Sequence, residues 1–293
     1  MSHTPLFVHT GNGFRLVALL FLMLMGALVG MIAGYAIMAL FSVTDSESLT
    51  GMRIMQLSTQ IGLFFLPPSA WALLFETKPK SALGLKATAP AIMFGLGVLL
   101  MLAALPLVHG LSEWNQSFRL PESLAAIEQQ LRAMEDKAEA LTKTFLSVGT
   151  IGGLLFNLLM IAVVPAVGEE LLFRGVIQNL LIRSMRNVHL AVVLGALFFS
   201  TLHFQFYGLI PRFLLGLFLG YFFLWSGSLW VPILMHFVNN GLAVVAFYLH
   251  YNGVSDVPME DFGSVTAWWQ WVISALLSLT ILLAAYKRQS KEV

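Results

Sequence analysis

From Phe14 to Val43 the only charged residue is Arg15, and comparable apolar stretches recur along the rest of the chain. A helix needs about 20 apolar residues to cross the hydrocarbon core of a bilayer, and only helices or closed barrels satisfy their backbone groups there. Eight stretches meet or approach that length: Phe14 to Val43, Ile54 to Phe75, Ala89 to Leu111, Phe145 to Arg183, Val192 to Phe206, Phe213 to Trp225, Leu229 to Leu249, and Trp268 to Tyr286. Only 11% of residues are charged, against roughly 25% in soluble globular chains, so there is no polar exterior to keep a water-soluble fold in solution. The expected fold is all-α, a polytopic helical bundle of about eight transmembrane helices forming one membrane-embedded domain over residues 1–293. The first stretch exceeds a signal-peptide core and lacks a basic flank beyond Arg15, so it reads as a transmembrane helix. The chain has no cysteine, which excludes disulfides, a thiol nucleophile and thiolate metal sites.

Charge asymmetry sets an expected orientation. Lys78, Lys80 and Lys86 follow the second stretch, Arg183 and Arg186 the fourth, and Lys287, Arg288 and Lys291 the eighth, all on one side. Asp45, Glu47, the acidic stretch Glu113 to Glu139, and Asp256, Glu260 and Asp261 fall on the other. The positive-inside rule then makes both termini cytoplasmic, in a multi-pass protein of the cell membrane. The basic residues are spread over these loops rather than gathered with aromatics on one face, so no nucleic-acid partner is expected.

The longest polar insert, residues 112–144, places Leu124, Ile127, Leu131 and Met134 at helical spacing. It reads as an extracytoplasmic amphipathic helix lying on the membrane or over the bundle, either a connector or a gate. Pro67 and Pro68 predict a kink in the second span. The fourth span is nearly twice the length a bilayer requires, and Pro165, which lacks the N–H of a helical hydrogen bond, predicts a broken fourth helix there. A re-entrant course through the membrane would also fit.

Just after that proline the chain reads PAVGEELLFRG, two adjacent glutamates in apolar sequence. A charge near the centre of a bilayer helix costs about 2.5 to 3.5 kcal/mol on insertion scales, so such a pair needs a use or a partner. Arg174, one turn after Glu170 on the same helical face, is the partner for that carboxylate, whereas Glu169 points about 100° away. Two further spans carry polar residues at depth, FSTLH with Phe199 and His203, and HFVNN with His236 and Asn240. If the fourth and fifth spans form a hairpin turning at Arg186, Glu169 and His203 are equidistant from the turn, each about 25 Å along its helix. Of the seven histidines only His203 and His236 lie well inside a span; His3, His9, His109, His189 and His250 read as surface or interfacial.

Carboxylates, imidazoles, a carboxamide and a guanidinium in apolar helices suit hydrolysis. A glutamate can take a proton from water that a neutral histidine holds, and an asparagine with a second donor from histidine can stabilise the oxyanion. EELLFR, FSTLH and HFVNN together resemble the EExxxR, FxxxH and HxxxN motifs of the CAAX-protease and bacteriocin-processing family, also called Abi. The resemblance spans about Phe145 to Leu249, so residues 145–250 are the expected catalytic core. It implies an eight-helix intramembrane glutamic endopeptidase whose cavity opens to the cytosol. By position it implies that Glu169 and His203 activate water, His236 and Asn240 line the oxyanion site, Glu170 and Arg174 order the site, and Phe199 packs beside it.

The expected activity is hydrolysis of a peptide bond in a membrane-associated protein or peptide, with the lipid bilayer as the other partner. Two histidines and a glutamate also form a zinc ligand set, but HExxH spacing is absent, so direct activation by Glu and His is favoured and no cofactor is expected. Two other readings fit the same residues. A non-catalytic immunity or scaffold protein would grip a peptide without cutting it, and a proton-coupled transporter would show paired broken segments in two halves, which the sequence lacks.

Overall fold

The computed structural model describes residues 4–258 and 261–289, so His3, Glu260 and Lys291 lie outside the described residues. Among the described residues every regular element is helical. The principal helices are α1 (Asn12–Leu40), α2 (Leu49–Phe75), α3 (Ala91–Ala103), α4 (Leu105–Gln116), α5 (Ala125–Leu146), α6 (Ile151–Ser184), α7 (Val188–Thr201), α8 (Phe206–Ser226), α9 (Trp230–Tyr251) and α10 (Trp268–Lys287).

Six of these, α1, α2, α6, α8, α9 and α10, are long and apolar enough to cross a membrane unaided. The third expected span is a bent pair, α3 and α4, meeting at 46°. Pro106, at the second position of α4, supplies the reason, because it cannot donate to the helix before it. The fifth is α7, whose 14 residues rise only about 21 Å, short of the ~30 Å hydrocarbon core. Eight expected full spans therefore become seven and one partial span.

The expected break at Pro165 is not there. Helix α6 runs unbroken from Ile151 to Ser184, and π-helical stretches at Leu158–Val163 and Leu171–Gln178 flank the two glutamates. Pro165 leaves the Ile161 carbonyl without its usual donor four residues on, and the Asn240 amide on α9 donates to that oxygen instead, at 3.2 Å. Pro67 and Pro68 are likewise absorbed by a π-helical turn, Ile61–Phe65. Phe145 and Leu146 close α5 rather than open the fourth span, and Thr150 caps α6 by accepting from the Gly153 N–H at 3.1 Å.

The ends of the helices sort by charge. Glu76 at the end of α2 pairs with Arg15 at the start of α1 (3.1 Å) and with Arg183 near the end of α6. The end of α10 joins them, since Tyr286 packs edge-on against Trp225 near the end of α8. The basic loops thus share one face of the bundle, and the insert carrying α5 occupies the other.

On α5 the amphipathic pattern is inverted with respect to the bundle. Of the expected stripe, Leu124, Ile127 and Met134 remain exposed and only Leu131 is half-buried, while Glu128, Glu135, Ala138 and Thr142 turn inward. Glu135 accepts from the Tyr207 N–H at 3.0 Å, and Arg132 stacks 4.0 Å from the centre of the Tyr207 ring. Glu128 binds the Leu120 N–H and Arg132, which hold its carboxyl below the usual carboxylate range.

Helices α1 and α2 approach through glycines. A Cβ on Gly62 would lie 2.3 Å from the Gly26 carbonyl oxygen and 2.7 Å from the Gly30 Cα, so only hydrogen fits. Gly95 on α3 has nothing within 4 Å. Gly62→Val is expected to destabilise the protein by at least about 1–3 kcal/mol through backbone overpacking. Thermal unfolding in detergent should show that loss, with Gly95→Val close to wild type.

Candidate active site

Helix α6 presents its polar residues one turn apart, and each finds a partner on a different helix. Glu170 is fully buried. Its Oε1 accepts from Arg174 Nη1 at 2.8 Å and from His236 Nδ1, on α9, at 2.9 Å. Arg174 Nη2 donates to the Gly216 carbonyl at 3.1 Å. One turn on, Gln178 Nε2 donates to the Gly220 carbonyl at 3.0 Å. The two α8 glycines make this approach possible: a Cβ on Gly220 would stand 2.9 Å from Gln178 Oε1, and one on Gly216 would stand 3.0 Å from the Ala196 backbone.

Phe199, on α7, packs at the centre of this arrangement. Its ring lies 4.7 Å from the Arg174 guanidinium and edge-on to Phe173, His203 and His236 at 5.1, 5.1 and 5.8 Å. Such contacts hold a cation and two imidazoles in place without offering them a competing acceptor.

Glu169 sits differently. Glu170 leaves only its Oε2 unpartnered, whereas Glu169 makes no side-chain hydrogen bond; its buried Oε2 lies 4.0 Å from both His203 Nε2 and His236 Nε2. His203 Nδ1 is 2.8 Å from the Phe199 carbonyl, which can only accept, so Nδ1 carries the proton and the neutral ring turns a bare Nε2 lone pair toward Glu169. Two hydrogen bonds of ~2.8 Å meeting at a tetrahedral water span roughly 4.4 Å. The separation of 4.0 Å is therefore near that of a one-water bridge, with the carboxylate and the imidazole both accepting from the same molecule.

A cavity of ≈ 280 Å³ reaches this point, lined by Gln56, Thr59 and Gln60 of α2 on one side and by Glu169 and His203 on the other. Neither His236 nor Asn240 lines it. Asn240 lies one turn beyond His236 on α9, with Nδ2 bonded to Ile161 and Oδ1 accepting from Asn239 at 3.0 Å.

The structure thus brings together Glu169, Glu170, Arg174, Phe199, His203 and His236, and sets Asn240 behind them. Glu169, His203 and His236 are the donors that could converge on a metal. Their separation of 4.0 Å exceeds the roughly 3.3 Å between donors around tetrahedral zinc, and no metal-holding cluster of three or more His, Asp or Glu side chains occurs among the described residues.

Residues 151–242 match the family model described as Type II CAAX prenyl endopeptidase Rce1-like. This region is similar to the Rce1-like family. No curated protein and no solved structure matches the chain. The matched region runs from the start of α6 into α9 and contains every motif residue from Glu169 to Asn240, while α1 to α5 and α10 lie outside it.

Five contributors escaped sequence reasoning. Gln178 continues the series Glu170 and Arg174 at the same interval along an apolar helix, which is a readable signal. Gln56, Thr59 and Gln60 are polar positions inside a span, and that too marks a cavity. Asn115 left no signal; it is buried on α4, with Nδ2 donating to the Phe206 carbonyl at 3.1 Å and Oδ1 accepting from the Ile210 N–H at 2.8 Å, and it fixes the turn that follows His203. His109 is half-buried on α4.

The two glutamates should separate in stability. Glu170→Gln leaves Arg174 buried without its counter-charge and should cost about 3–5 kcal/mol. Glu169→Gln removes a carboxylate with an unsatisfied oxygen and should leave the unfolding midpoint unchanged or raised. Equal losses in the two variants would contradict this division of labour.

Proposed function

We propose that this protein is an intramembrane endopeptidase that hydrolyses a peptide bond of a membrane-associated protein or peptide by glutamate- and histidine-activated water. One observation carries the reading. The unpartnered Glu169 Oε2 and the bare Nε2 of His203 face each other across a one-water distance on the wall of a cavity between α2 and the region that matches the Rce1-like family.

The chemistry follows from that geometry. Water donates one hydrogen bond to His203 Nε2 and the other to Glu169 Oε2, so its lone pairs point away from both acceptors. As its oxygen attacks the substrate carbonyl carbon, one proton passes to Glu169 and the carbonyl oxygen takes the negative charge. Glu169 then returns the proton to the leaving nitrogen as the C–N bond breaks, giving a carboxylic acid and an amine. Glu170 and Arg174 do not touch the reacting atoms; they fix His236 and the pitch of α6.

The oxyanion role of His236 and Asn240 rests on the family match. Asn240 has one amide N–H left after its bond to Ile161. The Nδ1 of His236 is committed to Glu170, so any contact of His236 with the oxyanion would be made through Nε2. The reading invokes no cofactor. A helical substrate satisfies its own amides, so the segment cut must unwind and enter as extended chain.

A cleavage assay in liposomes with a labelled membrane-anchored peptide library tests the proposal. Glu169→Gln and His203→Ala should each lower cleavage by about 10²–10⁴-fold while remaining folded. Activity should survive a chelator. Wild-type turnover that persists in Glu169→Gln would reject the mechanism, and peptide binding without turnover in every form would replace the enzyme by a peptide-holding scaffold.

A further inference from the structure

The cavity that reaches Glu169 has different walls toward the two ends of the bundle. From Glu169 toward the basic end, α6 continues through Leu172, Val176 and Leu180, each 0–3% exposed and packed among Trp71, Phe75, Phe199 and Phe223. That end is filled by apolar side chains. Toward the other end the wall is polar. Gln56 lies about 10 Å along α2 from Leu49, on the side of the insert, and about 28 Å from Phe75, on the basic side.

A second cavity of ≈ 200 Å³ shares Gln56 and Gln60 with the first and runs beneath Ala138, Leu141 and Thr142 of α5. The inverted amphipathicity of α5 fits this placement. Ala138, Leu141 and Thr142 line the approach to the site, and Ile127 and Met134 are turned to the outside. The turn bearing His203 is clamped by α5 and α4 on this same face, through Glu135 and Asn115.

The basic residues of the loops cluster on the opposite face, where Lys78, Lys80, Lys86, Arg183, Arg186 and Lys287 follow the ends of α2, α6 and α10. On the insert, Arg119 and Arg132 pair with Glu128, and Lys143 pairs with Glu139. Cytoplasmic loops carry the excess of lysine and arginine.

From the opposition of the polar mouth and the basic face, we infer that the cavity opens to the extracytoplasmic side, opposite to the cytosolic mouth that the family resemblance implies. Its substrate is then a polypeptide segment that emerges from the membrane on the outer face and enters as extended chain beneath α5, not a cytosolic C-terminus. This deepens the endopeptidase reading and rests on it for what enters the cavity; the direction of opening stands without it.

The absence of cysteine makes the test direct. Single variants Gln56→Cys on the cavity wall, Ser81→Cys on the basic loop and Ser117→Cys on the insert loop are expressed in bacterial spheroplasts and treated with a membrane-impermeant maleimide. Gln56→Cys and Ser117→Cys should label in intact spheroplasts, and Ser81→Cys should stay at background until permeabilisation. Labelling of Gln56→Cys only together with Ser81→Cys, after permeabilisation, would overturn the inference. So would failure of Gln56→Cys to label in permeabilised spheroplasts in which Ser81→Cys does label. Labelling does not depend on turnover, so a protein that cuts nothing still reports the direction of its mouth.

Discussion

The carboxylate of Glu170, fully buried and shared between Arg174 and His236, is the constraint around which the helices are arranged. Two charges removed from water need close geometry and further hydrogen bonds before their attraction offsets desolvation. Each requirement recruits another part of the chain. The second guanidinium nitrogen reaches an α8 carbonyl, which demands glycines where α8 meets α6 and α7. The guanidinium face takes the Phe199 ring, which sets α7. The imidazole sets α9. Glu169, adjacent in sequence, makes no side-chain hydrogen bond, because Arg174 Nη1 and His236 Nδ1 are both taken by Glu170. Neighbouring residues of identical chemistry thus differ by the partners each can reach.

Proline and the π-helical turns play a related part. A helix with wider turns on both sides of Glu169 and Glu170 shifts which residues face the bundle, and such turns gather at functional sites elsewhere in proteins. Here the proline, the freed Ile161 carbonyl and the Asn240 amide form one unit. The same asparagine that the motif nominates for catalysis also repairs the backbone of α6.

The apolar runs made the all-helical membrane fold legible, and EELLFR, FSTLH and HFVNN named the residues that meet in space, because charge inside a span is costly enough to be informative. The breaks were misplaced for a physical reason. Pro106 and Pro165 look alike in sequence, but the Asn240 amide takes the Ile161 carbonyl of a continuous helix, whereas at the Pro106 bend the Ser274 hydroxyl of α10 inserts between the Ala103 carbonyl and the Leu107 N–H, and such partners are invisible in one dimension. The helical spacing of Leu124, Ile127, Leu131 and Met134 was legible, yet not which way the stripe faces, since a helix bordering both lipid and a polar cavity reverses the usual rule. Asn115 was illegible because a lone asparagine near a helix end is ordinary until the turn it fixes is known.

Because α7 stops after 14 residues, the chain reverses at Leu202–Gly208 well short of the opposite membrane surface. Above that reversal the bundle holds polar side chains where a full span would hold hydrocarbon. A bilayer meets such a short element by thinning, at a modest cost for each ångström of mismatch. One leaflet would therefore dip around this protein, and its depth at the reacting carboxylate would vary with acyl-chain length. Membrane thickness thereby becomes a physical variable of the site, through the distance from water to Glu169.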